Sequence, residues 1–180
     1  SRHEIQVLDL MFAEQPEAEL KARLADFSPD LVALSVRNID NQSCYHTEYL
    51  LPEDKKVVEW CREASAATVV VGGTAFTVSP AAIFEYLGAD FGIVGEGDVA
   101  FRELVERIDR NENPSDIPGL VWRGPDGISA NPPEYIEDLD SLRLPRRELV
   151  DNQRYADAGG IGNILLKQGC CFDCLYCDSP

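Results

Sequence analysis

An α/β fold built on a parallel sheet with helices on both faces is what this 180-residue sequence predicts, on three observations. Strand-length apolar runs alternate with segments of helical period. The runs are apolar on consecutive residues, as suits strands buried on both faces. Turn and capping residues fall at the boundaries between the two kinds of segment.

In chain order the expected elements are a strand in "IQVLDL", a helix in "EAELKARLADF", a strand in "LVALSVR" and a helix in "DKKVVEWCREAS". Then come a strand in "TVVVGG", a helix in "SPAAIFEYLG", a strand in "FGIVGEG" and a helix in "VAFRELVERIDR". Right-handed crossovers place the helices of such a βαβαβαβα succession on both sides of the sheet. Ser28-Pro29-Asp30 closes one helix before a strand. Ser79-Pro80 puts a capping residue and an N1-type proline at a helix start, and Leu87-Gly88 ends that helix on a C-cap glycine. Cys61, inside a helical stretch, reads as a small buried hydrophobe.

After about residue 110 the texture changes. "NENPSDIPG" is linker-like, and "GLVWRGPDGISANPP" reads as two short strands joined by a turn centred on Asp126-Gly127. "EDLDSLRLPRRELVD" is a polar connector, and "GNILLKQG" looks like a fresh buried strand. The expected division is an α/β domain over 1–112, a β-hairpin and linker over 113–155, and the start of a second domain over 156–180.

Composition narrows the function. Hydrophobic residues at 44% and charged residues at 27% are ordinary globular usage, which excludes a disordered or fibrous class. Sixteen Lys and Arg against 32 Asp and Glu give a net charge of −16, which repels a polyphosphate backbone, so no nucleic-acid partner is expected. The apolar runs are far shorter than the roughly 20 residues that cross a bilayer, so no membrane span is expected. No basic stretch followed by an apolar one reads as a secretory signal, and a cytoplasmic location is expected. In a reducing compartment a tight cysteine cluster holds metal or does redox chemistry more often than it forms disulfides.

Four of the six cysteines lie within residues 170–177, in "GCCFDCLYC". Cys171, Cys174 and Cys177 give C-x2-C-x2-C, three ligands of a ferredoxin-type run, but Asp178-Ser179-Pro180 follows without the fourth cysteine. A zinc ribbon needs a second C-x2-C or a His pair some 15–20 residues away, and none follows. Cys170, Cys174 and Cys177 give C-x3-C-x2-C with Tyr176 before the last thiol. That frame resembles the cluster loop of radical S-adenosylmethionine (SAM) enzymes. The resemblance implies that Cys170, Cys174 and Cys177 hold three irons of a 4Fe-4S cluster and leave the fourth open to SAM, which the cluster cleaves reductively to a 5'-deoxyadenosyl radical. "NILLKQG" would be the first strand of a partial TIM-type barrel, whose chemistry sits at the carboxyl end of its strands. Cys171 departs from the usual loop: it is either a bystander or a competitor with Cys170 for the first iron.

In open parallel sheets ligands bind beyond the carboxyl ends of the strands. Three such ends carry suggestive loops: "SVRNIDNQ" from Ser35, "GGTAF" from Gly72 and "GEGD" from Gly95. Glycines let backbone amides approach a ligand, and a following helix start adds partial positive charge for a phosphate. The succession "PDLVALSVRNIDN", "VVVGGTAFTVSP", "YLGADFGIVGEGD" and "IPGLVWR" resembles the cobalamin-binding domain of cobalamin-dependent radical SAM enzymes over residues 5–123. This implies a flavodoxin-like (Rossmann-like) parallel sheet, followed by a β-hairpin linker and the first strand and cluster loop of the barrel. It also implies that Ser35, Gly72 and Gly73, with Thr74 beside them, line a groove for the nucleotide tail, and that Gly95, Glu96 and Gly97 close its far side. The loop from Val36 to Gln42, with Arg37 and Asn38, would lie near the lower face of the corrin ring. Capping and solvated charge are the competing roles for Arg37, Asn38 and Asp40.

The D-x-H-x-x-G histidine of carrier-type cobalamin domains is missing, and His46 in "SCYHTEY" reads as an ordinary loop residue. That motif follows a first strand, and the chain reads as starting at the second. The resemblance implies three cofactors, the 4Fe-4S cluster, SAM and cobalamin. It further implies methyl transfer or a radical rearrangement or cyclisation on an unknown substrate, and an electron donor such as a flavodoxin or ferredoxin. The excerpt alone would be inactive. The competing reading is a flavodoxin-like binding module for another nucleotide-tailed ligand with a structural zinc site at the cysteines. A third keeps the cluster enzyme but makes the first domain purely structural.

Overall fold

The computed structural model describes residues 3–162 and 175. The expected barrel strand and the cluster cysteines Cys170, Cys174 and Cys177, with Cys171, lie outside the described residues. The chain forms two compact units, one of Glu14–Leu142 and one of Ser1–Ala13 with Arg143–Pro180.

The larger unit holds a five-stranded sheet in the order β1-β2-β3-β4-β5. The strands are β1 (Leu31–Ser35), β2 (Thr68–Gly72), β3 (Phe91–Ile93), β4 (Leu120–Gly124) and β5 (Gly127–Ala130). β1, β2 and β3 are parallel, with Ala33 opposite Val70, Ser35 opposite Gly72 and Val70 opposite Phe91. β4 runs antiparallel to β3, and β5 to β4. The hairpin read from the sequence is therefore the continuation of the sheet, which is mixed and not wholly parallel. The sheet remains the flavodoxin-like α/β layer that the alternation predicted.

Its helices are α1 (Pro16–Phe27), α2 (Leu51–Ala64), α3 (Thr74–Val78), α4 (Pro80–Leu87) and α5 (Gly97–Asp109). α5 packs on the sheet face that carries Val70, Ile93 and Leu120, and its Ala100 and Leu104 complete a buried cluster with Ile117. Alternate strand residues point to the other face. There Gly92 leaves the space that the Phe76 ring of α3 fills. α2 is tied to the end of α4: Lys55 donates to the Tyr86 carbonyl at 2.9 Å, and Arg62 donates to the Gly88 carbonyl at 2.6 Å and to Asp90 at 3.0 Å. Cations suit the unpaired carbonyls of a helix C-terminus.

Most helix boundaries follow the local signals. Ser28 and Gly88 close α1 and α4 in the left-handed conformation, and Pro80 opens α4. Ser79 stands at the cap of α4, but its side chain makes no capping hydrogen bond. α3 was not expected: Thr and Val are weak helix formers, and five residues show no period. Cys61 is buried at 2% exposure, and burial pushes its thiol pKa up, as befits a packed hydrophobe.

The run "IQVLDL" is a correction, because residues 4–10 form no strand. In the flavodoxin order 2-1-3-4-5, the second strand pairs only with the first. Among the described residues β1 has no partner on its outer edge, so the ladder that would fix a strand at 4–10 is absent.

In the smaller unit, α6 (Asn152–Asp157) is capped by Asp151, which accepts from the Arg154 amide at 3.0 Å. The Tyr155 hydroxyl donates to Asp9 at 2.7 Å, and the Arg154 guanidinium stacks 4.5 Å from the Phe12 ring centre. These contacts join residues about 140 positions apart in sequence.

Asp54, in the first turn of α2, is half-buried, and desolvation with the neighbouring Glu53 charge pushes its pKa from 3.8 up to about 6. A carboxyl with a raised folded pKa makes the native state bind the extra proton. Stability therefore falls as pH rises from about 4 to 6 and is flat above. Asp54→Asn should raise stability above pH 6 by about 1 kcal/mol, discounted for partial exposure, and flatten the acid-side slope in urea titrations. An unchanged pH profile would contradict this.

Candidate functional site

The carboxyl ends of β1, β2 and β3 carry the three loops that the sequence singled out, and they converge. Val36 N–H donates to the Gly72 carbonyl at 2.7 Å, and Ala75 N–H donates to the Val36 carbonyl at 3.1 Å. This lashes the end of β1 to the turn after β2. Gly73 makes the approach possible: its φ is +103°, and a Cβ there would stand 2.6 Å from the Val36 oxygen and 2.9 Å from Ser35 Oγ. Only glycine fits this conformation and this gap.

Thr77 of α3 braces the next pair of loops. Its hydroxyl donates to the Gly73 carbonyl at 3.2 Å and accepts from Gly95 N–H at 3.0 Å. On the far side Glu96 accepts from the Ile136 amide at 2.8 Å, and Pro133 packs against Gly95, whose φ is +77°. The glycine loops are thus held from both sides.

Between them opens a cleft of about 430 Å³, floored by Val70 and Ile93 and walled by Ala33 and Phe101. Its rim carries Ser35, Gly72, Gly73, Gly95, Gly97 and Asp98. The hollow follows from side-chain size. Ala33, Ser35 and Gly72 share one face of the sheet and are small, whereas α5 covers the rest of that face with Phe101 and Leu104. The floor is buried and apolar, while Ser35 and Asp98 at the rim are exposed.

Of the expected tail-groove residues, Ser35, Gly72, Gly73, Gly95 and Gly97 meet at this cleft. Thr74 is exposed at the start of α3 and does not line it. Glu96 turns to the 133–136 segment instead. Val36 is fully buried behind the rim, where its backbone, not its side chain, serves the site. Arg37 and Asn38 are exposed just past β1. Asp40 caps the Gln42 amide at 2.7 Å and bridges to Tyr49, which shapes the loop. His46 is exposed, and its backbone is held by Asn41 and Ser43.

Asp98, Phe101 and Thr77 were missed. The sequence pattern starts the last helix at Val99, but α5 begins at Gly97, which brings Asp98 into its first turn and Phe101 one turn on. The expectation of a phosphate at this helix start also needs revision. Asp98 adds negative charge where the helix dipole is positive, which offsets its attraction for an anion.

An α/β unit with a glycine-edged apolar cleft at the carboxyl edge of its parallel strands is a binding domain for a small ligand. A family model described as the B12 binding domain matches residues 1–105, and the chain belongs to that family. It is 27% identical to the tryptophan 2-C-methyltransferase of Streptomyces laurentii, over 100% of this chain and 38% of that protein. Among solved structures it is similar to the radical SAM methyltransferase TsrM of Kitasatospora setae with tryptophan and a SAM analog bound: TM-score 0.85, 31% identity, 97% of this chain and 35% of that one. The same enzyme with cobalamin and a [4Fe-4S] cluster bound matches with a TM-score of 0.83 at 29% identity. The chain thus spans little more than a third of the length of these relatives. The resemblance to the cobalamin-binding domain of cobalamin-dependent radical SAM enzymes is borne out.

Gly73→Ala should lower unfolding stability by about 1–3 kcal/mol, because the left-handed backbone and the Val36 oxygen both oppose a methyl group. A loss below about 0.5 kcal/mol in denaturant titration would show that the β1–β2 lashing is slack.

Proposed function

We propose that the cleft takes the nucleotide tail of a cobalamin and that the whole protein is a cobalamin-dependent radical SAM methyltransferase. The observation that carries this is the glycine-rimmed apolar cleft, which in a B12-binding family member lies where the three strand-end loops converge. The likeness to TsrM, named in its solved structures with cobalamin, a [4Fe-4S] cluster and a SAM analog, supports the rest.

The residues present fit such a tail. A flat, weakly polar base matches Val70, Ile93 and Phe101, and the glycine backbones allow close approach at the rim. A base held there cannot at the same time bind the cobalt of its own corrin. Residues 36–42 would then lie near the corrin, as the resemblance implies, and they include no histidine. The Arg37 guanidinium carries only donors and has no lone pair to offer a metal. Cobalamin supplies a cobalt centre that can carry a methyl group. Cys170, Cys174 and Cys177 would hold the cluster, which supplies an electron to SAM.

The competing module for another nucleotide is disfavoured by charge. Glu14–Leu142 holds 10 Lys and Arg against 25 Asp and Glu, a net of −15, which opposes a pyrophosphate. Cobalamin carries a single phosphodiester, offset by its cobalt. An acidic electron donor such as a flavodoxin would for the same reason dock away from this unit.

Anaerobic reconstitution of the full-length protein tests the reading. Expected are about four irons with acid-labile sulfide per chain and one tightly bound cobalamin. Replacing Cys170, Cys174 and Cys177 by alanine should remove the iron and leave the cobalamin. Stoichiometric zinc in place of iron, or no cobalamin uptake, would overturn it.

A further inference from the structure

We infer that Asp98 reads the ribose of the nucleotide tail and makes the cleft select a cobamide with an intact nucleoside over one without. The inference rests on the reading of the cleft as the tail site. Among the described residues that line the cleft, two have polar side chains, Ser35 and Asp98. Neither side chain has a hydrogen-bond partner among the described residues, whereas Thr77 and Glu96, which brace the loops, are committed to backbone partners. Both groups stand at the exposed rim, above an apolar floor of Val70 and Ile93.

That layout orders the ligand. An apolar base belongs on the floor, and the sugar that follows it belongs at the rim. A ribose presents hydroxyl donors, and a carboxylate is an acceptor with room for two of them. Charge-assisted hydrogen bonds of this kind are shorter and stronger than neutral ones. The same charge keeps the phosphodiester away from the rim: the start of α5, with Glu96 before it and Asp98 in its first turn, is not an anion site. Ser35, on β1 across the cleft from α5, can donate or accept and completes the rim. Phe101, one turn after Asp98 on the same helix face, forms the wall beside the base. Asp98 therefore recognises sugar hydroxyls, and shape and apolarity recognise the base.

The test is a pair of titrations on the full-length protein, one with hydroxocobalamin and one with cobinamide, which keeps the corrin but has no nucleotide tail. Wild type should bind hydroxocobalamin at least 100-fold more tightly. Asp98→Ala should lose about tenfold in hydroxocobalamin affinity with cobinamide affinity unchanged, the range expected for one charge-assisted hydrogen bond. Asp98→Asn, which keeps an acceptor oxygen but not the charge, should fall between the two. It also controls for folding, since its melting temperature should stay near that of wild type. Equal losses for both ligands, or no loss for hydroxocobalamin, would overturn the role of Asp98. If wild type binds cobinamide as tightly as hydroxocobalamin, or binds neither, the tail-site reading itself falls, and the inference with it.

Discussion

The meeting of β1 and β2 at Gly73 is the constraint on which the site depends. Two parallel strands end side by side, and the chain after each must leave in the narrow space above them. The Val36 amide bonds back to Gly72 and the Val36 carbonyl accepts from Ala75, so the two exits are locked into one unit. A side chain at position 73 would collide with both the Val36 oxygen and Ser35. Because nothing stands there, Ser35 reaches the rim and α3 starts at once. Thr77 then sits one turn on, positioned to carry the order across to Gly95. A single backbone conformation thus sets the positions of three loops.

The packing beneath the loops explains why a hollow exists at all. α5 lies over β2, β3 and β4 and fills that half of the sheet face with Leu104 and Phe101. At the carboxyl end of β1 and β2 the same face carries the small residues Ala33, Ser35 and Gly72, which cannot fill the space that α5 leaves. Val70 and Ile93 are largely packed away, while Ala33 and Ser35 beside them stay exposed within the cleft. A ligand that enters gains by removing this apolar floor from water, while its orientation is set by a few polar groups at the rim.

Much of this was legible in the sequence, because periodicity and capping report local structure. α1, α2, α4 and α5 stand where the 3.6-residue pattern puts them, and Gly88 ends α4 as its sequence context indicates. The three glycine loops were recognisable as strand ends, and five of their residues do share the cleft. The remainder depends on partners distant in sequence. The run at 4–10 has strand-forming residues, but a strand exists only with a neighbour to bond to, and among the described residues none pairs with it. The hairpin 120–130 is local, yet its pairing with β3 is not, so it read as a linker and not as sheet. Thr77 and Asp98 carry no motif. One matters for a brace between two turns, the other for a helix that starts two residues earlier than its apolar period suggests.

The account holds that the cobalamin base lies in the cleft, away from cobalt, over a loop without a nitrogen ligand. Electron paramagnetic resonance of cob(II)alamin on the full-length protein tests this most directly, since a coordinated nitrogen splits each cobalt line into a triplet. The account predicts cobalt hyperfine lines without that splitting. A triplet that becomes a doublet when the benzimidazole is labelled with 15N would place the base on cobalt and contradict it.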